Sequence, residues 1–167
     1  MSKDSKTSLN QIPLPGLLEM ASEAMFAEFR ENLVEAGYGD VRPTHGCVFR
    51  FVREDGLRLT DLAQMAGMTK QSIGEIVDDL ETRGYLERFP DPEDKRAKLI
   101  RLTAKGEMAQ AIGFGLFAKL EQRWGKRYGV KRFAELRVLL EEIAANETPQ
   151  AVPELSDAAR AATANAV

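Results

Sequence analysis

The residues best suited to chemistry lie in two stretches near the middle of the chain. The first is RFPDPEDKRAKLIRLTAKG, from Arg88 to Gly106. Between Arg83 and Lys105, seven Lys/Arg stand against four Asp/Glu, within a chain of 167 residues and formal net charge −3. Such a local basic segment can neutralise phosphates where the whole protein cannot. Asp94 precedes Arg96 by two residues, a spacing at which a carboxylate can hold a guanidinium in one orientation. An Arg held in that way on a hairpin tip can enter a narrow minor groove. The plain alternative is a solvated hairpin tip, the usual fate of a charge run.

The second stretch is MTKQSIGEIVDDLETRG. Its polar face offers Thr69, Lys70, Gln71, Ser72 and Glu75. Gln71 suits adenine, Lys70 guanine or phosphate, Ser72 either, and Glu75 the amino group of cytosine. Asp78 and Asp79 would repel phosphates and are expected on a solvated face beyond any groove. Gly74 is disfavoured by ~1 kcal/mol in mid-helix relative to Ala, so either close approach to a surface, the preferred reading, or simple tolerance explains it.

Catalysis has little to work with. One His, one Cys, no nucleophile beside a base and no clustered metal ligands argue against an enzyme, a metal or a cofactor. Gly113 and Gly115 lack the strand and helix start of a phosphate loop. Cys47 alone excludes an internal disulfide and points to a reducing, cytoplasmic setting. No run of about 18 apolar residues and no signal-peptide pattern occur, so membrane insertion is not expected.

The elements that must position these residues follow from periodicity. Residues 1–14 are polar and read as a mobile arm. Leu18, Ala21, Met25, Phe29 and Leu33 recur at helical spacing up to Gly37. Leu17, Met20, Phe26 and Val34 widen that stripe beyond one packing partner. Thr44 is expected to cap a short helix over HGCVFRFVRE, LRL (57–59) to form a minimal strand, and Thr60 to cap DLAQMA up to Gly67. Thr69 is the N-cap of the next helix, with Met68 and Ile73 as a hydrophobic staple. Ile73, Ile76, Val77 and Leu80 form its apolar stripe, and Gly84 ends it.

Two short helices joined through Gly67 match a helix-turn-helix. YLERF, a loop through Pro90, Asp91, Pro92 and Asp94, and AKLIRL then form a β-hairpin with Ile100 and Leu102 on one face. The combination is a winged helix. Thr103 caps a long helix reaching about Lys126, and VKRFAELRVLLEEIAANE forms another. The fold class is therefore mainly α with a small β-hairpin: a winged helix-turn-helix lobe (44–102) flanked by terminal helices (15–37 and 103–147). Residues 148–167 are expected to be a loosely held tail, in which SDAARAATANA can form a helix. The excess apolar surface of the terminal helices suggests a homodimer.

From about Leu17 to Ala145 the sequence resembles the multiple-antibiotic-resistance regulator (MarR) family of bacterial transcription factors. The resemblance rests on LTDLAQMAGMTKQSIGEIVDDLETRGYLER followed by DPEDKRAKLIRLTAKG. Its most specific motif is Asp94, Arg96, the apolar strand, Leu102, Thr103 and Gly106. It implies a triangular homodimer binding a pseudo-palindromic double-stranded DNA operator, a repressor released by a small aromatic or phenolic effector. By position it assigns Thr69, Lys70, Gln71, Ser72 and Glu75 to recognition helix 69–83, and Asp94, Lys95, Arg96 and Lys98 to wing 88–100. Glu75 with Asp78 departs from the basic or hydroxyl residues usual on that helix.

Met25, Phe29, His45 and Phe49 are candidate effector contacts, because family members place part of a ligand cleft near the start of helix 2. Met20 belongs to the same apolar set. Plain core is the alternative for the apolar residues, and a buried polar role for His45. Two further functional readings remain: a winged-helix protein-interaction module, and a thiol-based redox regulator using Cys47. The hydroperoxide-sensing branch of the family carries its cysteine in helix 1, where this chain has none.

Overall fold

The structure is a computed structural model describing residues 9–147. The first eight residues of the expected arm and the expected tail at 148–167, with its SDAARAATANA helix, lie outside the described residues.

Helix α1 spans Leu14–Glu35, beginning at the last residue assigned to the arm, with a proline in its first turn. Of its broad apolar surface only Leu33 is buried. A 3-10 turn over Pro43–His45 leads into α2, Gly46–Phe51. Two expected caps are not formed. Thr44 makes no cap, because the chain enters α2 through the 3-10 turn and His45 takes the N-cap position. Thr60 lies inside α3, Leu59–Ala66, because Leu59 already turns helical at the end of the two-residue strand β1, Leu57–Arg58.

The turn between α3 and α4 depends on Gly67, whose φ of +62° is left-handed. Non-glycine residues there are disfavoured by roughly 1–2 kcal/mol. The Met68 N–H then donates to Ala63 O at 3.0 Å, closing the helix end. Helix α4 spans Lys70–Thr82, and the Thr69 hydroxyl accepts from the Ser72 N–H at 3.1 Å, as the sequence predicts. Its other end closes at Gly84, φ +75°, with the Tyr85 N–H donating to Leu80 O at 2.9 Å.

Strands β2, Leu86–Pro90, and β3, Lys98–Leu102, pair antiparallel, with Leu86 opposite Leu102 and Pro90 opposite Lys98. β1 adds to the free edge of β3, Leu57 facing Ile100, to give the order β1-β3-β2. Ile100 and Leu102 point into a core completed by Leu62, Ile73, Val77, Leu80, Tyr85 and Val48.

Helix α5 spans Ala104–Tyr128, capped by the Thr103 hydroxyl on the Gly106 N–H at 3.1 Å. At ~1.5 Å per residue its 25 residues carry the chain ~37 Å from the lobe. Its first turn lies so close to β2 that a Cβ on Gly106 would fall 2.1 Å from the Tyr85 carbonyl oxygen. Gln110, buried, donates to Phe49 O at 2.6 Å and ties α5 to α2. Phe29 stacks on Phe117 at 4.0 Å, with Phe26 edge-on at 5.7 Å, joining α1 to α5. Helix α6, Val130–Glu147, packs on α5 but buries no residue. Among the described residues no helix is long and apolar enough to cross a membrane.

Candidate nucleic-acid interface

The N-terminal turn of α4 presents Lys70, Gln71 and Glu75 to solvent. Thr69 and Ser72 are partly committed to local structure: their hydroxyl oxygens lie 2.8 Å apart, and Thr69 also caps the helix. Gln71 Nε2 donates to Glu75 Oε1 at 3.3 Å, which places one potential base reader against the other. Gly74 has no neighbour within the chain closer than ordinary contact, Leu59 Cδ2 at 3.8 Å. Nothing inside the lobe requires its missing side chain.

The back of α4 is less solvated than its sequence suggests. Asp78 accepts from Arg88 Nη2 at 2.6 Å, and Arg88 also pairs with Glu81. Asp79 accepts from Arg83 Nε and from His45 Nε2, both at 2.9 Å. The Arg83 guanidinium holds the Asp79 carboxyl below its usual range. Asp79 is thus half-buried in a polar knot, which corrects the expectation of a solvated residue, and Asp78 is exposed but paired. Asp78 and Asp79, the two acids expected to repel phosphates, are matched by cations of the same lobe.

The wing is built differently from expectation. Asp94 does not hold the Arg96 guanidinium: its Oδ1 accepts the Arg96 backbone N–H at 3.0 Å, an Asx turn that shapes the tip. The reason is spacing, since a side chain two residues back reaches the main chain before it reaches the end of a long Arg. Asp91 is the buried carboxylate of the wing. It accepts from the Glu93 N–H at 2.8 Å and from Arg58 Nε at 2.8 Å, and its pKa is lowered by these two contacts in that order. The Asp91 N–H donates to Ala97 O, and the Ala97 N–H to Asp94 O, closing the loop between β2 and β3.

The basic residues of the wing therefore divide in two. Arg88 and Arg101 are spent within the lobe, Arg101 on Glu87 at 2.6 Å and over the Phe89 ring at 4.5 Å. Lys95, Arg96 and Lys98 are exposed, and none of their side chains is paired among the described residues. Arg58, Arg88 and Asp91 are residues that the sequence reading missed. Arg58 and Arg88 lie 33 and 7 to 10 residues from their partners, and only the packing of the sheet and of α4 brings them together. Asp91 sits in the same acidic run as Asp94, where composition does not separate the buried carboxylate from the exposed ones.

The open cleft along α1 does not gather the effector candidates. His45 and Phe49 are buried in the lobe, Phe49 edge-on to Tyr85 at 5.9 Å. Phe29 is stacked on Phe117, and Met25 is half-buried on α1. An open cleft along α1 is lined by Met20, Glu23, Phe26, Arg30 and Pro43, and by none of the four. The Cys47 thiol donates to Thr44 O at 3.0 Å, and burial pushes its pKa up, the reverse of what a reactive thiolate needs. No group of three or more His, Cys, Asp or Glu able to hold a metal occurs among the described residues.

Residues 40–97, which contain the whole helix-turn-helix and most of the wing, match the sequence model of the MarR family. Transcriptional regulator HosA of Escherichia coli O111:H- is 33% identical over 76 residues, 44% of this chain and 56% of that protein. HTH-type transcriptional regulator PetP of Rhodobacter capsulatus is 32% identical over 100 residues, 56% of this chain and 59% of that protein. The chain thus spans less than two thirds of the length of either relative. Among solved structures, the reduced form of MarR from E. coli superposes with a TM-score of 0.68 at 25% identity, covering 79% of this chain and 96% of that one.

Proposed function

We propose that this chain, which belongs to the MarR family, is a DNA-binding transcriptional regulator that works as a cytoplasmic homodimer. The observation that carries the reading is the segregation of charge in the lobe. Acids and arginines behind α4 neutralise one another, while Lys95, Arg96 and Lys98 stay exposed and unpaired on the wing. Cations left free at a hairpin tip are available for phosphates or a minor groove, and Lys70, Gln71 and Glu75 for base edges in the major groove. Thr69, Ser72 and Asp94 then act chiefly by shaping those two elements.

The dimer reading rests on the terminal helices. Leu17, Leu18 and Met20 of α1 and Leu136, Leu140 and Ile143 of α6 are more than one third exposed. Two such chains joined through these faces would present two α4 helices to a pseudo-palindromic operator, whose half-sites lie one DNA turn, ~34 Å, apart. Repression relieved by a small aromatic or phenolic effector completes the proposal. Met25, Phe29, His45 and Phe49 are its candidate contacts, and a ligand acts only through unequal affinity for binding-competent and incompetent lobe spacings.

Selection of bound duplexes from a genomic pool, followed by titration at increasing salt, tests this reading. The expected outcome is one enriched palindromic sequence whose affinity falls steeply with salt. Equal affinity for every duplex would reject it.

A further inference from the structure

We propose that His45 is the positioning residue of the recognition helix, and that a proton added to its Nδ1 releases α4 from the linker to α1 and weakens operator binding in mild acid. The inference rests on the DNA-binding reading for its last step only.

His45 is 1% exposed, and both ring nitrogens are in use. Nε2 lies 2.9 Å from Asp79 Oδ2 on α4, a contact to a carboxylate that requires the ring to donate. Nδ1 must then be the unprotonated nitrogen, and it accepts the backbone N–H of Arg42 at 3.0 Å. The His45 N–H in turn donates to Arg42 O at 3.0 Å. The imidazole thus closes a ring across the 3-10 turn between α1 and the lobe while its far edge holds the side of α4.

A second proton has one place to go. On Nδ1 it would face the Arg42 N–H, donor against donor, and the turn must open for the imidazolium to find an acceptor. Asp79 draws that proton in. Burial of the ring opposes it most strongly, with Arg42 and Arg83, the residue that caps α4, and together they hold the pKa below its ordinary value. Arg83 lies 4.0 Å from Asp40, which accepts from the Tyr85 hydroxyl at 2.7 Å, so the same knot reaches the start of β2. Because α1 belongs to the dimer in the reading above, this turn helps set the angle at which each lobe meets the duplex.

The chain has one histidine. Between about pH 5.5 and 7.5 no other side chain with an ordinary pKa changes charge, which makes a pH profile assignable to it. The experiment measures affinity for a selected duplex at fixed ionic strength from pH 7.5 to 5.5 for wild type, His45→Gln and Asp79→Asn. It also follows the histidine ring and the Arg42 amide of the free protein by NMR over the same range. Wild type is expected to lose about fivefold or more in affinity, the ring and the Arg42 amide moving together. His45→Gln, which keeps a donor toward Asp79 but has no group that titrates in this range, is expected to show a flat profile whatever its affinity at pH 7.5. Asp79→Asn, lacking the charge that draws the proton, should shift the fall to lower pH, a change that loss of packing alone would not cause.

A wild-type fall retained in His45→Gln overturns the proposal, as does a wild type flat to pH 5.5 with the Arg42 amide unmoved. If His45→Gln does not fold, the shift in Asp79→Asn decides the matter, and an unshifted profile counts against it. If no duplex binds at any pH, the DNA-binding reading fails on its own. The NMR titration then settles the lock, concerted movement supporting it and a titrating ring beside a static Arg42 amide overturning it.

Discussion

The lobe and the terminal helices use apolar residues in opposite ways. Val48, Leu62, Ile73, Val77, Leu80 and Ile100, all within the lobe, are at most 1% exposed. Among the described residues no buried side-chain polar atom lacks a partner. By contrast α1 buries one residue and α6 none, although α6 exposes Val138 at 52% and Leu139 at 53%. The lobe closes its core with the first turns of α5, whereas the bare apolar surface of α1 and α6 is what the proposed dimer interface rests on. Substitutions in the lobe should therefore act on folding, and those on the terminal helices on assembly.

The largest effect is expected where the lobe meets α5. Gly106→Ala would drive a Cβ into the Tyr85 backbone, 2.1 Å from its oxygen, and neither the N-cap at Thr103 nor the strand can yield freely. Thr103 Oγ1 donates to Gly84 O at 2.6 Å, so the clash also strains the end of α4. A loss of about 3 kcal/mol in urea unfolding is expected, at the upper end of overpacking effects. An unchanged midpoint would remove this junction from the account of the lobe. Next in size is Leu136→Glu with Leu140→Glu on α6. Charge on an exposed face leaves the monomer fold intact but is unfavourable in an apolar interface. Sedimentation equilibrium should report half the wild-type mass with the circular dichroism of the lobe unchanged. A wild-type mass would mean that this face is not the interface.

A third substitution separates the two kinds of cation within the wing. Arg96→Ala should weaken duplex binding about tenfold and lower the slope of log affinity on log salt by about one. Arg101→Ala removes a side chain already occupied by Glu87 and Phe89 and should leave that slope unchanged. Equal slopes for the two variants would end the distinction between free and committed charge.

Local rules carried the sequence reading furthest. Thr69, Thr103, Gly67 and Gly84 mark helix ends by short-range hydrogen bonding and backbone geometry, and each sits where the sequence puts it. The alternation of Ile100, Arg101 and Leu102 likewise fixes one buried face. What stayed hidden depends on distant pairing. Arg58 finds Asp91 because β1 joins the edge of β3, and Arg88 finds Asp78 because β2 returns beside α4. Neither follows from spacing along the chain. Thr60 lies inside α3 and not at its cap for a related reason, since β1 and α3 share a boundary that propensity cannot divide.

The smallest expected effect is on stability, and it distinguishes the regions by pH. The chain's one histidine lies in the lobe, and burial lowers its pKa from the ordinary 6.5. The unfolded chain then binds more protons than the folded one as pH falls below that value, so this contribution is fully present above about pH 6.5 and is lost toward the folded pKa. The carboxyls of Asp79 and Asp91 are also lowered, from 3.8, and the stability they add is lost only as pH falls below that range. Acid should thus act in two stages, the first a modest decline that His45→Gln abolishes and the second one that it leaves in place. Urea midpoints between pH 7.5 and 3 test the order. A first stage retained in His45→Gln would mean that His45 is not the group whose protonation begins the decline.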